Sequence, residues 1–254
     1  TWGAHWELHD LRFFKPLPLT PRRTLRIVAT PSATTHVSHA PAIAQMEITI
    51  TSVETAGAAG KEPVVHCTCV AMGLKAPPPM STTHVAPSVA AVADTSEFSV
   101  NSLYAQLSDS GFDYGPEFQL LTSASRRGGG AGGAVSAVGT VARRLGSPFV
   151  VDPVEIDAYF QLAPLVSAAG FQGAPAAISC VRKLAACPRG SHMTVHAEQT
   201  ADGIHFQAFG QDGTAVYAVE GLDLGSFEAE LPEMLHISTA ALPKLTPGNT
   251  LPPW

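Results

Sequence analysis

Asp157 and Gln161 are the two side chains whose types and spacing most directly suggest chemistry. They lie four residues apart in an otherwise apolar segment, FVVDPVEIDAYFQLAPLVSAAGF (149–171). On a helix, residues four apart share a face, so the carboxyl and the amide would meet the same surroundings. Two interpretations follow. The pair forms a solvated polar face, or the carboxyl is held in an apolar cleft, where burial raises its pKa and lets it act as a general acid.

The cysteines suggest packing rather than catalysis or metal binding. The chain has only four: Cys67, Cys69, Cys180 and Cys187. That number is too small for a disulfide-rich scaffold of this length. In the run EPVVHCTCVA, alternation along a strand puts Cys67 and Cys69 on one face and His66 on the other. This geometry does not suit a zinc site, so we predict buried strand thiols.

His5 and His9 are also four residues apart. On a helix they would share a face, as a metal-binding or catalytic pair requires. The residues that follow them resemble a strand, however. We therefore expect solvated or strand-flanking histidines, with a replacement catalytic role for either one as the alternative.

The segment that carries Asp157 has the clearest helix signals in the chain. Asp152 is a good N-cap, the proline after it suits the first helical position, and Glu155 completes a D-x-x-E variant of the capping box. We predict one helix over 153–169, ended by the glycine that follows it and kinked at Pro164.

Most other segments alternate apolar and polar residues and predict antiparallel strands. An edge strand over 6–19 is expected to break at Pro16. A short helix is predicted within 98–112, capped by Asn101 or Ser102 and ended by a glycine. Residues 113–127 predict a turn that leads into a strand. The other predicted strands are 24–30, 46–54, 63–71, 134–145, 177–185, 192–200, 203–210 and 215–227.

Composition limits the classes of function. The chain has 254 residues, of which 14% are charged, and its net charge is −6. This leaves no basic footprint for nucleic acid, and no apolar run approaches the roughly 20 residues of a membrane helix. The run GGGAGG (128–133) lacks a phosphate-loop pattern and is expected to connect a hairpin. The chain opens on TWGAHWELHD, which we expect of a segment internal to a longer polypeptide.

Three segments carry recognisable motifs. Residues 114–119 are YGPEFQ and follow Tyr104 and Gly111, residues 152–161 are DPVEIDAYFQ, and residues 11–17 are LRFFKPL. In this order they resemble the YGPxFQ signature, the HPxxLDxxxQ motif and one strand of the polyketide synthase dehydratase domains. The resemblance spans nearly the whole chain, and the order and spacing of the first two motifs make it specific.

The resemblance implies an α+β double hot-dog fold, in which two antiparallel sheets wrap around long helices. It divides the chain into an N-terminal hot-dog with a linker over 1–96 and a C-terminal hot-dog over 97–227. Residues 72–95, with four prolines, are the predicted linker, and 228–254 are a predicted exit linker. The first long helix of such a fold is missing from this sequence, so the first hot-dog is expected to be incomplete.

The resemblance also implies a reaction. The family's dehydratases remove water from a β-hydroxyacyl thioester and leave an α,β-unsaturated acyl chain. Asp157 would protonate the departing hydroxyl, with Gln161 as its neighbour. The residues that would shape the substrate cleft are Tyr114, Gly115, Pro116 and Phe118. No metal and no cofactor of its own are expected, because the substrate is carried on the phosphopantetheine of an acyl carrier protein.

The expected partners follow from the same resemblance. They are the acyl carrier protein, neighbouring synthase domains and a second copy in a homodimer, in the cytoplasm, with no nucleic acid or membrane.

The sequence departs from the family at the expected base. The family's α-proton is removed by a histidine in an HxxxGxxxxP motif, and none of the ten histidines here has glycine four residues later. Asp152 also replaces the histidine of the second motif, and Ile156 replaces its leucine. Three interpretations stay open: a dehydratase whose histidine lies outside this sequence, a catalytically inactive dehydratase-like scaffold, and a hot-dog cyclase of the pyran-forming or product-template type.

Overall fold

The computed structural model describes residues 5–15, 23–32, 42–54, 62–76, 95–128, 135–144, 152–167, 173–188 and 190–225. This part of the chain contains eleven strands and three short helices. The strands are β1 (His5–Phe13), β2 (Arg23–Pro31), β3 (Ala42–Glu54), β4 (Val64–Leu74), β5 (Thr95–Phe98), β6 (Leu121–Arg127), β7 (Ser136–Ala142), β8 (Ala174–Lys183), β9 (His192–Thr200), β10 (Gly203–Phe209) and β11 (Ala215–Gly225). The helices are α1 (Val100–Asp109), α2 (Pro153–Phe160) and α3 (Ala163–Val166).

The described strands form one antiparallel sheet in the order β2-β3-β4-β1-β8-β11-β10-β9-β7-β6-β5. We call β2-β3-β4-β1 the first half-sheet and the remaining seven strands the second half-sheet. The two meet where β1 pairs with β8, with Trp6 opposite Lys183 and Leu8 opposite Val181. β1 therefore joins the N-terminal strands to the part of the sheet that covers the helices.

The prediction of an edge strand over 6–19 is wrong, because β1 is bonded on both sides, to β4 and to β8. β1 ends at Phe13, before Pro16, so no proline removes a backbone donor from the paired segment. Asp10 has a φ of 50° at a register shift between β1 and β4, which marks a β-bulge. The bulge offsets the alternation by one residue. Four apolar side chains of β1 consequently pack against the main core: Trp6, Leu8, Leu11 and Phe13.

The main core lies between the second half-sheet and the helices. Leu103 and Leu107 of α1 are buried in it, as are Tyr159 and Leu162 around α2. These side chains are almost fully inaccessible to solvent, so burial of their apolar surface is the main force that holds the helices on the sheet. In the described residues, no helix is long and apolar enough to cross a membrane.

Helix α1 begins two to three residues earlier than predicted. Its N-cap is Ser99, and both predicted caps, Asn101 and Ser102, lie inside the first turn. The predicted stop is confirmed, because Gly111 follows the C-cap with a φ of 89°, a conformation that glycine adopts without strain. The N–H of Phe112 then bonds to a carbonyl of the last helical turn at 2.9 Å.

The single helix predicted over 153–169 is two helices in the structure. Pro164 has no N–H to donate to the carbonyl of Phe160, so the hydrogen bonding of one continuous helix is interrupted there. Pro164 itself lies in the first turn of α3, where its N–H would have no partner within the helix. The break between α2 and α3 is closed by a tighter turn, in which the N–H of Leu162 bonds to the carbonyl of Tyr159 at 3.1 Å. A proline that was expected to kink one helix therefore separates two.

The other predicted strands agree with the structure within a few residues, and 192–200 matches β9. One strand was missed: β5 has only four residues, pairs with β6 and straddles the predicted boundary at 96/97. The division of the chain into 1–96, 97–227 and 228–254 remains a prediction. Features that lie outside the described residues are Gly170, most of the predicted linker over 72–95, residues 129–133 of the glycine-rich run, and the exit linker.

Candidate active site

Helix α2 begins as its sequence predicts. The carboxylate of Asp152 accepts a hydrogen bond from the N–H of Val154 at 3.0 Å, and the following proline occupies the first helical position. The carboxylate of Glu155 turns away from the predicted capping box. Its two oxygens accept from Nε of Arg143 at 3.0 Å and from the backbone N–H of Arg144 at 3.2 Å. These bonds fix the first turn of α2 to the residues that follow β7.

The YGPEF segment forms a tight turn opposite α2. The N–H of Phe118 bonds to the carbonyl of Gly115 at 2.9 Å, with Pro116 at the second position, where its fixed φ is suitable. The side-chain amide of Gln119 donates to the carbonyl of Tyr114 at 2.7 Å and holds the turn from the other side. Phe118 remains 42% exposed at this turn.

A cleft of about 470 Å³ lies between this turn and α2. Of the six site residues predicted from sequence, five line it: Tyr114, Gly115, Pro116, Phe118 and Asp157. The sixth, Gln161, is fully buried and bonded to Asp157. Asp113 and Glu117 also line the cleft and were not predicted, although both adjoin or belong to the YGPEFQ motif.

The carboxyl of Asp157 is mostly buried in the wall of this cleft. Burial raises its pKa above the ordinary aspartate value, and a hydrogen bond from Nε2 of Gln161 to Oδ2, at 2.9 Å, acts in the opposite direction. Burial also raises the pKa of the Tyr114 phenol, and the nearby Asp157 and Tyr104 add to that rise. The arrangement is a carboxyl that holds its proton closer to neutral pH, next to a phenol that stays neutral.

Gln161 links α2 to the turn and to α1. Its Nε2 donates both to Asp157 and to the backbone carbonyl of Phe118, at 3.0 Å, and its Oε1 accepts from the hydroxyl of Tyr104 at 2.9 Å. The rings of Tyr104 and Tyr114 pack edge to face with centroids 6.3 Å apart. Tyr104 precedes the YGPEFQ motif, but no role for it could be predicted from the sequence, because its contact to Gln161 joins positions far apart in the chain.

The histidine pair considered from sequence lies on a strand rather than on a helix. His5 and His9 alternate along β1 with Trp6 and Leu8, which pack against the main core, so they lie on the other face of the sheet. Nε2 of His9 is 2.9 Å from a carboxylate oxygen of Glu7. The described part of the cleft lining includes neither histidine.

Cys67, Cys69 and His66 occupy a strand, as predicted. The two thiols are only partly buried, less than expected, and burial raises the pKa of Cys67 to about 12 and that of Cys69 to about 11. His66 is buried, with Nε2 2.7 Å from the hydroxyl of Ser52. Among the residues that the structure describes, no three His, Cys, Asp or Glu side chains are grouped to hold a metal ion.

Comparison with known proteins identifies the family. A family model described as "Polyketide synthase dehydratase N-terminal domain" matches residues 82–234, which include both motifs around the cleft. No curated protein sequence gives a significant match.

Solved structures show the same architecture. The erythromycin dehydratase is similar with a TM-score of 0.63 and 22% identity, over 86% of this chain and 74% of that one. The dehydratase domain from the CurK module of curacin polyketide synthase has a TM-score of 0.62 and 15% identity, over 87% and 74%. The dehydratase domain of RzxB from Pseudomonas fluorescens has a TM-score of 0.61 and 18% identity, over 86% and 74%.

These observations define the chain as a hot-dog protein, as the sequence motifs predicted: an antiparallel sheet wrapped around a few helices. The chain belongs to the polyketide synthase dehydratase family.

Proposed function

We propose that this chain acts as a dehydratase on a β-hydroxyacyl thioester carried by the phosphopantetheine arm of an acyl carrier protein. The observation that carries the proposal is the mostly buried carboxyl of Asp157, which lines a cleft opposite the YGPEF turn. A general acid must be protonated when it meets the substrate, and burial shifts the carboxyl toward that state. The neutral phenol of Tyr114, in the same cleft, adds a hydrogen-bond donor for an oxygen of the substrate.

The proposed reaction is an elimination of water from the acyl chain. A base removes the α-proton of the acyl chain, the electron pair forms the α,β double bond, and the bond from the β-carbon to its hydroxyl oxygen breaks. Asp157 gives its proton to the departing hydroxyl, and water is released. The base accepts one proton and Asp157 loses one, so proton exchange with solvent resets the site. The step needs no redox partner, metal or cofactor of the protein's own.

Variants of a related enzyme support the proposed role of Asp157. The CurK dehydratase has been crystallised as an aspartate-to-asparagine variant and as a histidine-to-phenylalanine variant, each described as inactive. In this chain, Asp157 is the aspartate that the DPVEIDAYFQ motif offers for the corresponding role. We propose that the base is a histidine other than the residues that line the described part of the cleft.

The test is Asp157→Asn in the polypeptide in which this chain naturally occurs, given a β-hydroxyacyl thioester on its acyl carrier protein. Asparagine keeps the shape of the side chain but cannot donate the proton, so alkene formation, followed by mass spectrometry of the carrier protein, should fall by about 10²–10⁴-fold. Asp223→Asn, an exposed carboxyl on β11, is the matched control and should keep its activity.

The outcomes separate the competing functions. Undiminished alkene formation by Asp157→Asn would refute its role as the acid. A cyclic product from the unmodified protein would replace the proposal with a cyclase. No conversion at all, with acyl carrier protein and substrate verified, would support the inactive scaffold instead.

A further inference from the structure

A chain of hydrogen bonds runs from β6 to the carboxyl of Asp157. The backbone N–H of Leu121 donates to the hydroxyl oxygen of Tyr104 at 3.3 Å. The Tyr104 hydroxyl donates to Oε1 of Gln161 at 2.9 Å, and Nε2 of Gln161 donates to Oδ2 of Asp157 at 2.9 Å and to the carbonyl of Phe118 at 3.0 Å. These hydrogen bonds connect the backbone of β6 to the side-chain amide of Gln161.

The two ends of a glutamine amide have nearly the same shape, so packing alone does not decide which end faces a neighbour. Hydrogen bonds determine which end of the Gln161 amide faces each neighbour. The Leu121 N–H occupies a lone pair of the Tyr104 oxygen, which directs the phenolic hydrogen toward Gln161. A donor then faces Oε1, and two acceptors face Nε2. Gln161 has no exposed surface, so water cannot replace a lost partner without rearrangement.

We propose that Tyr104 is a positioning residue: its hydroxyl acts together with the carbonyl of Phe118 to fix the amide of Gln161 in the orientation that presents an N–H donor to Asp157. This inference rests on the proposed function, because it assigns a role in setting the acid of that reaction. Tyr104 acts through Gln161. The pKa of Tyr104 is raised, mainly by burial, so the phenol keeps the proton that it must donate.

The orientation has a chemical consequence. With the N–H toward Asp157, the amide stabilises the carboxylate and opposes the effect of burial. If the amide turns over, its carbonyl oxygen meets Asp157 and stabilises only the protonated acid, which can donate to it. Tyr104 therefore keeps the acid strong enough to release its proton, while burial shifts the carboxyl toward its protonated form.

The experiment compares Tyr104→Phe, Gln161→Leu and the double variant in the full chain. NMR titration of the ¹³C-labelled side-chain carboxyl of Asp157, assigned with Asp157→Asn, reports its pKa without substrate. Tyr104→Phe should raise this pKa, and Gln161→Leu should also raise it. Tyr104→Phe should add nothing in the Gln161→Leu background. Tyr159→Phe, on the same helix, loses only a weak contact to the sulfur of Met193 and is the control without a shift.

In the dehydration assay, Tyr104→Phe should lower kcat by roughly two- to tenfold, the range of one neutral hydrogen bond, with KM little changed. The alkaline limb of its pH–rate profile should move to higher pH. A purely structural role would lower the melting temperature without moving the titration. An unchanged pKa in Tyr104→Phe, or an equal shift in the Gln161→Leu background, would overturn the proposal.

Different results would refute the proposed function and the positioning role of Tyr104. If Asp157→Asn still dehydrates the substrate, the proposed function is wrong whatever the titration shows. If Asp157→Asn is inactive but Tyr104→Phe leaves both titration and pH profile unchanged, the dehydratase stands and the positioning role is wrong. Should Tyr104→Phe not fold, Gln161→Leu alone decides, since an unchanged Asp157 pKa there removes the link through which Tyr104 acts.

Discussion

Replacing Glu155 with glutamine should destabilise the protein by about 3 kcal/mol. The side chains of Glu155 and Arg143 are only 2% and 9% exposed, and the Nε–Oε2 distance between them is 3.0 Å. Removing one partner of such a buried pair costs about 3–5 kcal/mol, because the remaining charge is left uncompensated. Arg143 also donates to the carbonyls of Cys187 and Pro188, and these bonds would still stabilise the guanidinium after Glu155 is replaced. The expected cost is therefore at the low end of the range of about 3–5 kcal/mol.

Urea unfolding followed by circular dichroism measures this cost. Glu97→Gln, an exposed side chain on β5, is the matched control and should change stability by less than about 0.5 kcal/mol. The double variant Glu155→Gln/Arg143→Met removes both charges. If the pair is coupled through burial, its cost should be smaller than the sum of the two single costs by more than about 1 kcal/mol. Costs that add would refute the reasoning.

Three further predictions concern the same region. Asp152→Ala removes the acceptor for the N–H of Val154 and should cost about 1 kcal/mol in thermal unfolding, whereas Asp152→Asn should cost clearly less; equal costs would contradict a capping role. Gly139→Ala places a methyl group 2.9 Å from Cδ2 of Leu162 and should cost about 1–3 kcal/mol in urea unfolding because the core becomes overpacked; an unchanged stability would contradict this. Because the folded state raises the pKa of Asp157, its penalty is absent at a pH below the ordinary carboxyl range and grows as pH rises toward the raised value. The stability of Asp157→Asn relative to the unmodified protein should therefore increase between acid and neutral pH, and a constant difference would contradict a buried carboxyl.

The features that sequence predicted well are those set by local rules. Asp152 and the proline after it specify where α2 begins, because a side-chain acceptor and a fixed φ act within one turn. Gly111 specifies where α1 ends for a similar reason. The residues predicted from the YGPEFQ motif line one cleft together with Asp157, because each motif keeps its residues within one turn or one helix. Their part in catalysis stays a prediction.

The features that sequence missed depend on contacts between distant segments. Nothing local distinguishes an edge strand from a central one, so the position of β1 could be seen only once β4 and β8 were both placed beside it. The hydrogen bond from Tyr104 to Gln161 also joins elements far apart in the chain. Glu155 was predicted from local sequence to complete a capping box. In the structure it pairs instead with the guanidinium of Arg143, which follows β7 in the chain.

The pairing of β1 with β8 has a consequence for how the chain reaches its native state. β1 is the first described strand to leave the ribosome, whereas β8 follows only after nine other elements. Until β8 is made, β1 can pair with β4 but presents its other edge unpaired, and such edges recruit other strands. Contacts this distant in sequence form late and slow folding. Among the described strands, β1 therefore depends on protection of its free edge from aggregation until β8 has been made.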